Sequence, residues 1–569
     1  MKKTSRIFAL LLVLVMVAAL FAGCGKPGGS ASSKPPASSG SQEMPPAEEK
    51  TPEPDIETPP EEDDGGIHVG KLPIVDEPEE LTVWHTINPQ ALRYINSYSD
   101  NSVIKKADEI TNVTLVCTSI AGNLAMEQFP IMIGSGEYTD LLHSITNMYA
   151  GGIDAAINDG IIIDLAPMLE KWCPNYLEAL NSNPKYIKNV TTDTGKIGVF
   201  SMLSIGNSED AGYMIRADWA KELGFDPAKI KTYDQWHEFL SAAKTKYGEA
   251  YMYVNPLGLG NRQTLTDGYG ISAVFSPMEG QVPFQIVDGV VSCSYTSEAL
   301  KNYVTMMHQW YNEGLLWKDF PSGGEVMTAK DTPCYTEFLN DKVGLMMLEM
   351  GNLQNQESTS GEMIELMALS NPVLEEGQTT HIATAEVAPQ PKWSISTDCE
   401  NPELACAYIN FWFTDEGYDI ANYGIEGESY TMVDGKRQWT DLIINNPDNI
   451  DMKALSTIYL LDDHPFLVDA HRFDTLYTPE QLACSDIWLS NRDGAWQYPS
   501  GVTLTIEEND QYAKIWGDIY TFAAESIPGF ITGGKSLDEW DSYVARLEEL
   551  GVATLVEIRQ AGYDRFLER

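Results

Sequence analysis

The sequence predicts an α/β fold in two lobes. Short β-branched runs alternate with helical stretches, and strand–helix–strand units of these lengths pair in parallel. About 490 residues follow a leader and a biased stalk. That exceeds the ~250–300 residues at which a single core stops growing. No second long apolar run follows the leader, so the body reads as soluble.

The leader sets the context. Lys2, Lys3 and Arg6 precede an apolar run from Ile7 to Phe21, and the stretch ends Ala22-Gly23-Cys24. A basic start, a short apolar middle and small residues at the cut are the layout of a secretory signal peptide, here residues 1–23. The run holds about 15 residues, short of the ~20 that span a bilayer. Small residues before a cysteine resemble the lipobox of bacterial lipoproteins, although Phe21 stands where Leu is usual. The resemblance implies cleavage before Cys24, lipidation of that cysteine and a lipid-anchored place on the extracellular face of the cell membrane.

Residues 24–80 then read as a tether. Gly25–Glu80 holds eleven prolines, fourteen acidic residues and four basic ones. With little to bury beyond residues such as Ile74 and Val75, ordering entropy is not offset, and disorder is expected. Proline and like charge both extend such a chain.

Net charge is −46, and most of it stays with the body. A surface this acidic argues against nucleic acid, which needs a basic footprint. Beyond Cys24, seven cysteines remain, with no CxxC or zinc spacing. His464, Asp469 and His471 fit no standard ligand set, so no metal site and no cofactor is expected.

Along the body, Leu81–Trp84 reads as a first strand, Ser102–Ile110 as a helix and Val113–Ser119 as a second strand. Phe129–Ile133 reads as a helix stopped by Gly134 and Gly136, and Asp140–Leu142 opens a third strand. Tyr213–Arg216 is a strand feeding a helix from Asp218 to Gly224. Thr232 to Gln235 is a capping box before an apolar stripe of Trp236, Phe239, Leu240 and Ala243. Ser297–Glu313 reads as a helix, Lys342–Met350 as a buried strand, and Asn401-Pro402 as a helix start. Ser536 to Glu539 is a second capping box. Residues 434–500 are poorly periodic and are expected to be loops with short helices.

Three stretches resemble one family: Ile215-Arg-Ala-Asp-Trp-Ala-Lys-Glu-Leu-Gly-Phe-Asp-Pro227 continuing through Lys231–Phe239; Asn422-Tyr-Gly-Ile-Glu-Gly-Glu-Ser-Tyr-Thr431; and Phe530-Ile-Thr-Gly-Gly-Lys-Ser-Leu-Asp-Glu-Trp540 with Ala561–Arg565. They look like the lipoprotein-type extracellular solute-binding proteins, family 1, of carbohydrate ABC transporters in Gram-positive bacteria. The resemblance covers nearly all of residues 81–569. It implies a periplasmic-binding-protein-like fold, with hinge strands joining two lobes around a ligand cleft. The lobes are expected at about 81–205 plus 335–392 and about 206–334 plus 393–569. It further implies a monomer that binds an oligosaccharide, closes on it and docks on ABC permease subunits. Some alginate-binding relatives carry a calcium loop; the nearest stretch here, Thr191–Lys196, has only Asp193.

A sugar site needs aromatic faces for the C–H side of the ring and planar polar groups for its hydroxyls. Ligands of open α/β lobes meet the carboxyl ends of strands. That rule nominates Trp84 and His85, Asp140 and Arg216. Trp393, after Pro389-Gln-Pro391, sits where a chain returning between lobes would cross. Tyr423, Glu426 and Tyr430 lie in a Gly-rich segment. Gly258 with Gly260, and Gly268 with Gly270, have no following Lys-Ser/Thr, which rejects a phosphate loop. A delivery protein that does no chemistry is the leading reading. Two alternatives stay open: a peptide or signal-molecule binder on the same scaffold, and a surface glycoside hydrolase with paired carboxyls.

Overall fold

A computed structural model describes residues 66–569 apart from 210, 259–264, 273, 276–282, 323–332, 351–355, 384–386, 447, 449 and 451. The expected signal peptide, Cys24 and most of the expected tether lie outside the described residues. The folded body begins earlier than expected. Ile67, Ile74 and Val75 are buried in the first core, and Ile74 N–H donates to Thr111 O.

Two mixed sheets organise the body. The first holds β1 (Glu79–Ile87), β2 (Val113–Ala121), β3 (Leu141–His143) and β4 (Phe200–Ile205). The second holds β5 (Ala211–Arg216), β6 (Tyr251–Tyr253), β7 (Val343–Glu349) and β8 (Leu366–Ala368). The chain then returns to the first sheet with β9 (Gln390–Ile395) and β10 (Leu467–Asp469). The orders are β10-β4-β9-β3-β1-β2 and β8-β5-β7-β6.

These orders correct the expected lobe boundaries. Val343–Glu349 pairs with β5, Tyr213 opposite Met347, so it belongs to the second lobe. Gln390–Ile395 lies between β3 and β4, and the helix Pro402–Phe411 packs in the first core. The first lobe is therefore 66–205 plus about 390–469, and the second about 211–368 plus 479–569.

Local signals are realised. The Thr232 box caps the helix Tyr233–Tyr247, whose Trp236, Phe239, Leu240 and Ala243 are buried. Asn401 caps Pro402–Phe411 by accepting from Leu404 N–H, and Ser536 forms its box before Trp540–Leu550. Residues 434–500 carry the short helices Asp441–Ile444 and Met452–Tyr459 and the ten-residue Pro479–Trp488. They also carry two strands, Lys436–Trp439 and β10. Among the described residues no helix is long and apolar enough to cross a membrane, and all the cysteines are free thiols.

Candidate functional site: the edge between the lobes

Register places the site. β1 and β3 run parallel. β9 runs against both its neighbours, with Trp393 beside His143 and Gln390 beside Met202. β9 therefore starts at the edge where β3 and β4 finish. In the second lobe β5 starts where β7 ends, Ala211 opposite Glu349, and β6 is parallel to β7. β8 runs against β5, with Ala368 beside Met214, and ends at the same edge. Only five residues connect β4 to β5, a reach of about 20 Å. The two carboxyl edges therefore adjoin, along connections leaving Ile205, Ala368 and Asp469. Loops at the carboxyl ends of strands are where an open α/β lobe takes its ligand.

The connections are anchored by buried charge. The Asp267 carboxylate accepts the N–H groups of His381, Ile382 and Ala383, pinning the second connection. Burial raises its pKa, and those three hydrogen bonds oppose the rise. Glu209, in the first connection, pairs with Arg492 at 2.8 Å, both side chains almost wholly buried.

Most of the nominated residues lie in packed or paired surroundings. β1 continues to Ile87, so Trp84 and His85 sit inside the strand. Successive side chains point to opposite faces, and both faces are covered. Trp84 packs on Phe129 at 5.9 Å. His85 stacks on Tyr98 at 4.0 Å and His143 at 4.5 Å. Trp393 is fully buried against His464 at 4.1 Å. Asp140 precedes β3, at the edge away from the other lobe, and accepts from Thr82 N–H and Oγ1. Arg216 also lies on a far edge, because β5 runs away from the lobe boundary. It forks onto Asp218, pairs with Asp341 and lies 4.2 Å over Trp219.

The third group is brought together. Tyr423 and Tyr430 meet at 6.5 Å beside the end of β10, where Tyr423 OH donates to Asp469. The Tyr423 ring already carries the Arg437 guanidinium at 4.3 Å and Trp439 at 5.9 Å, so it is not a free platform. Glu426 is exposed at the rim of this cluster. His464 and His471 do not converge: the first is buried and the second pairs with Asp474. Among the described residues no group of His, Cys, Asp or Glu has metal-binding geometry.

Sequence reasoning missed the accessible aromatics of this edge. Tyr94, in the loop leaving β1, is 47% exposed. Tyr149, after β3, is half-buried, its hydroxyl on Asp159. Half-buried Trp496 packs against His381 of the second connection at 4.4 Å, and His381 pairs with Asp493. For Tyr94 the signal was its position after β1, masked by the misplaced end of that strand; Trp496, after the helix Pro479–Trp488, carried none.

Below the edge lies a polar row. The β1–β3 and β3–β9 registers set His85, His143 and Trp393 side by side on one face. His143 Nδ1 accepts Thr86 N–H at 3.1 Å, which puts the neutral ring's proton on Nε2, 3.8 Å from Asp463. Asp463 also binds Lys392 at 2.5 Å. Burial holds His85 and His464 well below the usual imidazole range and His143 down to about 4. Burial, with neighbouring Asp463, pushes Asp462 up to about 6.

No protein-family model matches the chain. It is 21% identical over 499 residues to the fructooligosaccharide ABC transporter substrate-binding protein FusA of Streptococcus pneumoniae serotype 4, across 82% of this chain and 87% of that protein. It is 22% identical over 417 residues to lipoprotein LipO of Bacillus subtilis strain 168, across 68% of this chain and 77% of LipO. A human-milk-oligosaccharide-binding solute-binding protein of Bifidobacterium longum infantis superposes with TM-score 0.66 at 18% identity, over 86% of this chain and 99% of that one. Alginate-binding protein AlgQ2 superposes with TM-score 0.63 at 22% identity and the same coverage.

The fold is that of the two-lobed solute-binding proteins. Within that class the chain resembles the carbohydrate-type ABC-transporter components of family 1, and its relatives are named as binding proteins rather than enzymes.

Proposed function

We propose that this protein is a surface lipoprotein, anchored through Cys24, that binds an oligosaccharide between its lobes and delivers it to ABC importer permeases. The observation that carries the reading is the pair of adjoining carboxyl edges, joined by three connections, the first of five residues. The named sugar binders among its relatives support the solute class. Tyr94 and Tyr149 from the first lobe and Trp496 from the second are the proposed stacking faces, with Asp493 and His381 as hydroxyl partners. The earlier nominees Trp84, His85, Trp393, Asp140 and Arg216 hold the scaffold instead.

A thermal-shift screen of the purified protein against oligosaccharides and peptides tests this. Solute at a hundred times its dissociation constant adds about 2.7 kcal/mol of stability. The expected result is a raised Tm with at least one oligosaccharide, which is recovered intact. A response to peptides alone moves the reading to a peptide binder, and cleavage of the sugar moves it to a hydrolase.

A further inference from the structure

A second junction joins the lobes beside the end of β4, where Tyr186 OH donates to Ser204 O at 3.2 Å. On the first-lobe side, the helix Pro184–Val190 packs into the core through Tyr186 and Val190. The turn after it is fixed by Thr192 and Thr194, whose hydroxyls both donate to Asp154. On the second-lobe side, the helix Val552–Glu568 packs through Val552, Leu555 and Ile558.

Oxygens from both lobes converge here around two guanidinium groups. Arg569 donates to Asp193 Oδ1 at 2.9 and 2.5 Å, to Thr191 O at 2.5 Å, to Gly501 O at 2.6 Å and to Thr503 Oγ1 at 2.7 Å. Arg565 donates to Asp193 Oδ2 at 2.7 Å and forks onto Glu508 at 2.9 and 2.5 Å. The Arg569 side chain is only 4% exposed and Asp193 14%. Burial works against the Asp193 charge, yet the two arginines hold its pKa below the usual carboxylate range. The backbones also approach closely: Gly501 N–H donates to Asn189 Oδ1 at 2.8 Å, and a Cβ on Gly501 would stand 2.6 Å from Asn189 Cα.

Two carboxylates with several carbonyl and hydroxyl oxygens are the donor set of a hard divalent cation. Guanidinium can serve the same oxygens because it is permanently charged and carries five donors in a fixed fork. We propose that Arg565 and Arg569 form a built-in cationic clasp, a divalent-ion-independent pivot between the lobes beside the end of β4.

The test compares wild type with R569Q, R565Q and the milder D193N, using the whole purified protein. Tm is read in EDTA and in millimolar calcium chloride, and the radius of gyration by small-angle scattering. Wild-type Tm is expected to be the same in EDTA and calcium. R569Q and R565Q are expected to lower it by several degrees and to enlarge the radius of gyration, with D193N following in the same direction. A wild-type Tm that drops in EDTA or rises with calcium overturns ion independence. If D193N and R569Q leave Tm and radius of gyration unchanged, the pivot is overturned. If R569Q does not fold, D193N and the wild-type ion series decide alone.

Discussion

The two lobes bury different chemistry. In the second, the core is rich in hydrocarbon and phenol, and three of its buried tyrosines, Tyr233, Tyr295 and Tyr303, each donate to a single backbone carbonyl. In the first, three imidazoles lie under the cleft edge. Among the described residues, neither ring nitrogen of His85 or His464 has a hydrogen-bond partner. A phenol needs one acceptor and stays neutral to high pH. An imidazole presents two nitrogens and titrates in the accessible range. The first lobe is therefore the acid-sensitive one.

Paired tryptophan deletions give the largest effect. Trp236→Ala in the second lobe and Trp393→Ala in the first should each cost about 3–5 kcal/mol, the usual penalty for emptying a buried aromatic site. Urea unfolding at pH 7 and pH 5 separates them. The Trp236→Ala penalty should be the same at both, whereas Trp393→Ala admits water to His85 and His464 and should change with pH. Equal behaviour at both pH values would erase the contrast.

Acid comes next. A histidine whose folded pKa lies below its unfolded value of about 6.5 is neutral in the folded protein and takes up a proton on unfolding. Its stabilising contribution is whole above about 6.5 and falls as pH drops toward the folded value. For His143, near 4 when folded, the loss approaches about 3 kcal/mol at pH 4. Asp462 works the other way, because its raised pKa near 6 makes the folded state bind a proton between pH 6 and 4. Burial raises Asp108 to about 6 as well, so three histidines stand against two such carboxyls, and stability should fall on acidification, as seen in melting curves from pH 7 to 4.5. His464→Phe, which removes two unpartnered nitrogens between Trp393 and Trp412, should flatten that fall.

A smaller change follows from Asp463→Asn. It leaves the Lys392 ammonium, 8% exposed, without its carboxylate, but 43% of the Asp463 side chain reaches solvent. The cost should lie between the surface and buried limits, about 1–3 kcal/mol. Glu426→Gln, exposed at the rim of the Tyr423 cluster, should stay within about 0.5 kcal/mol and leave solute affinity unchanged. Trp496→Ala, by contrast, should weaken it about tenfold, or about 1.4 kcal/mol. Calorimetry on the two variants sharpens the distinction between scaffold and site.

What the sequence disclosed was local. Capping boxes at Thr232 and Ser536, the Asn401-Pro402 start and the β-branched second strand rest on contacts within a few residues, and the structure keeps them. What stayed hidden was non-local. Nothing near Arg216 tells which end of its strand faces the other lobe. Nothing near Leu345 reveals that it pairs with Ile215, more than a hundred residues earlier. Trp84 and His85 looked like the end of a strand because both faces of β1 are covered, which removes the polar alternation that would have marked its continuation. The tether was read as reaching Glu80, but its last residues are held by Thr111 and Asn112, partners more than thirty residues on.

The most direct measurement is small-angle scattering of the protein alone and saturated with the sugar that raises its Tm. The account predicts a smaller radius of gyration with sugar, as the two carboxyl edges close on it. Identical curves with saturating sugar would contradict it.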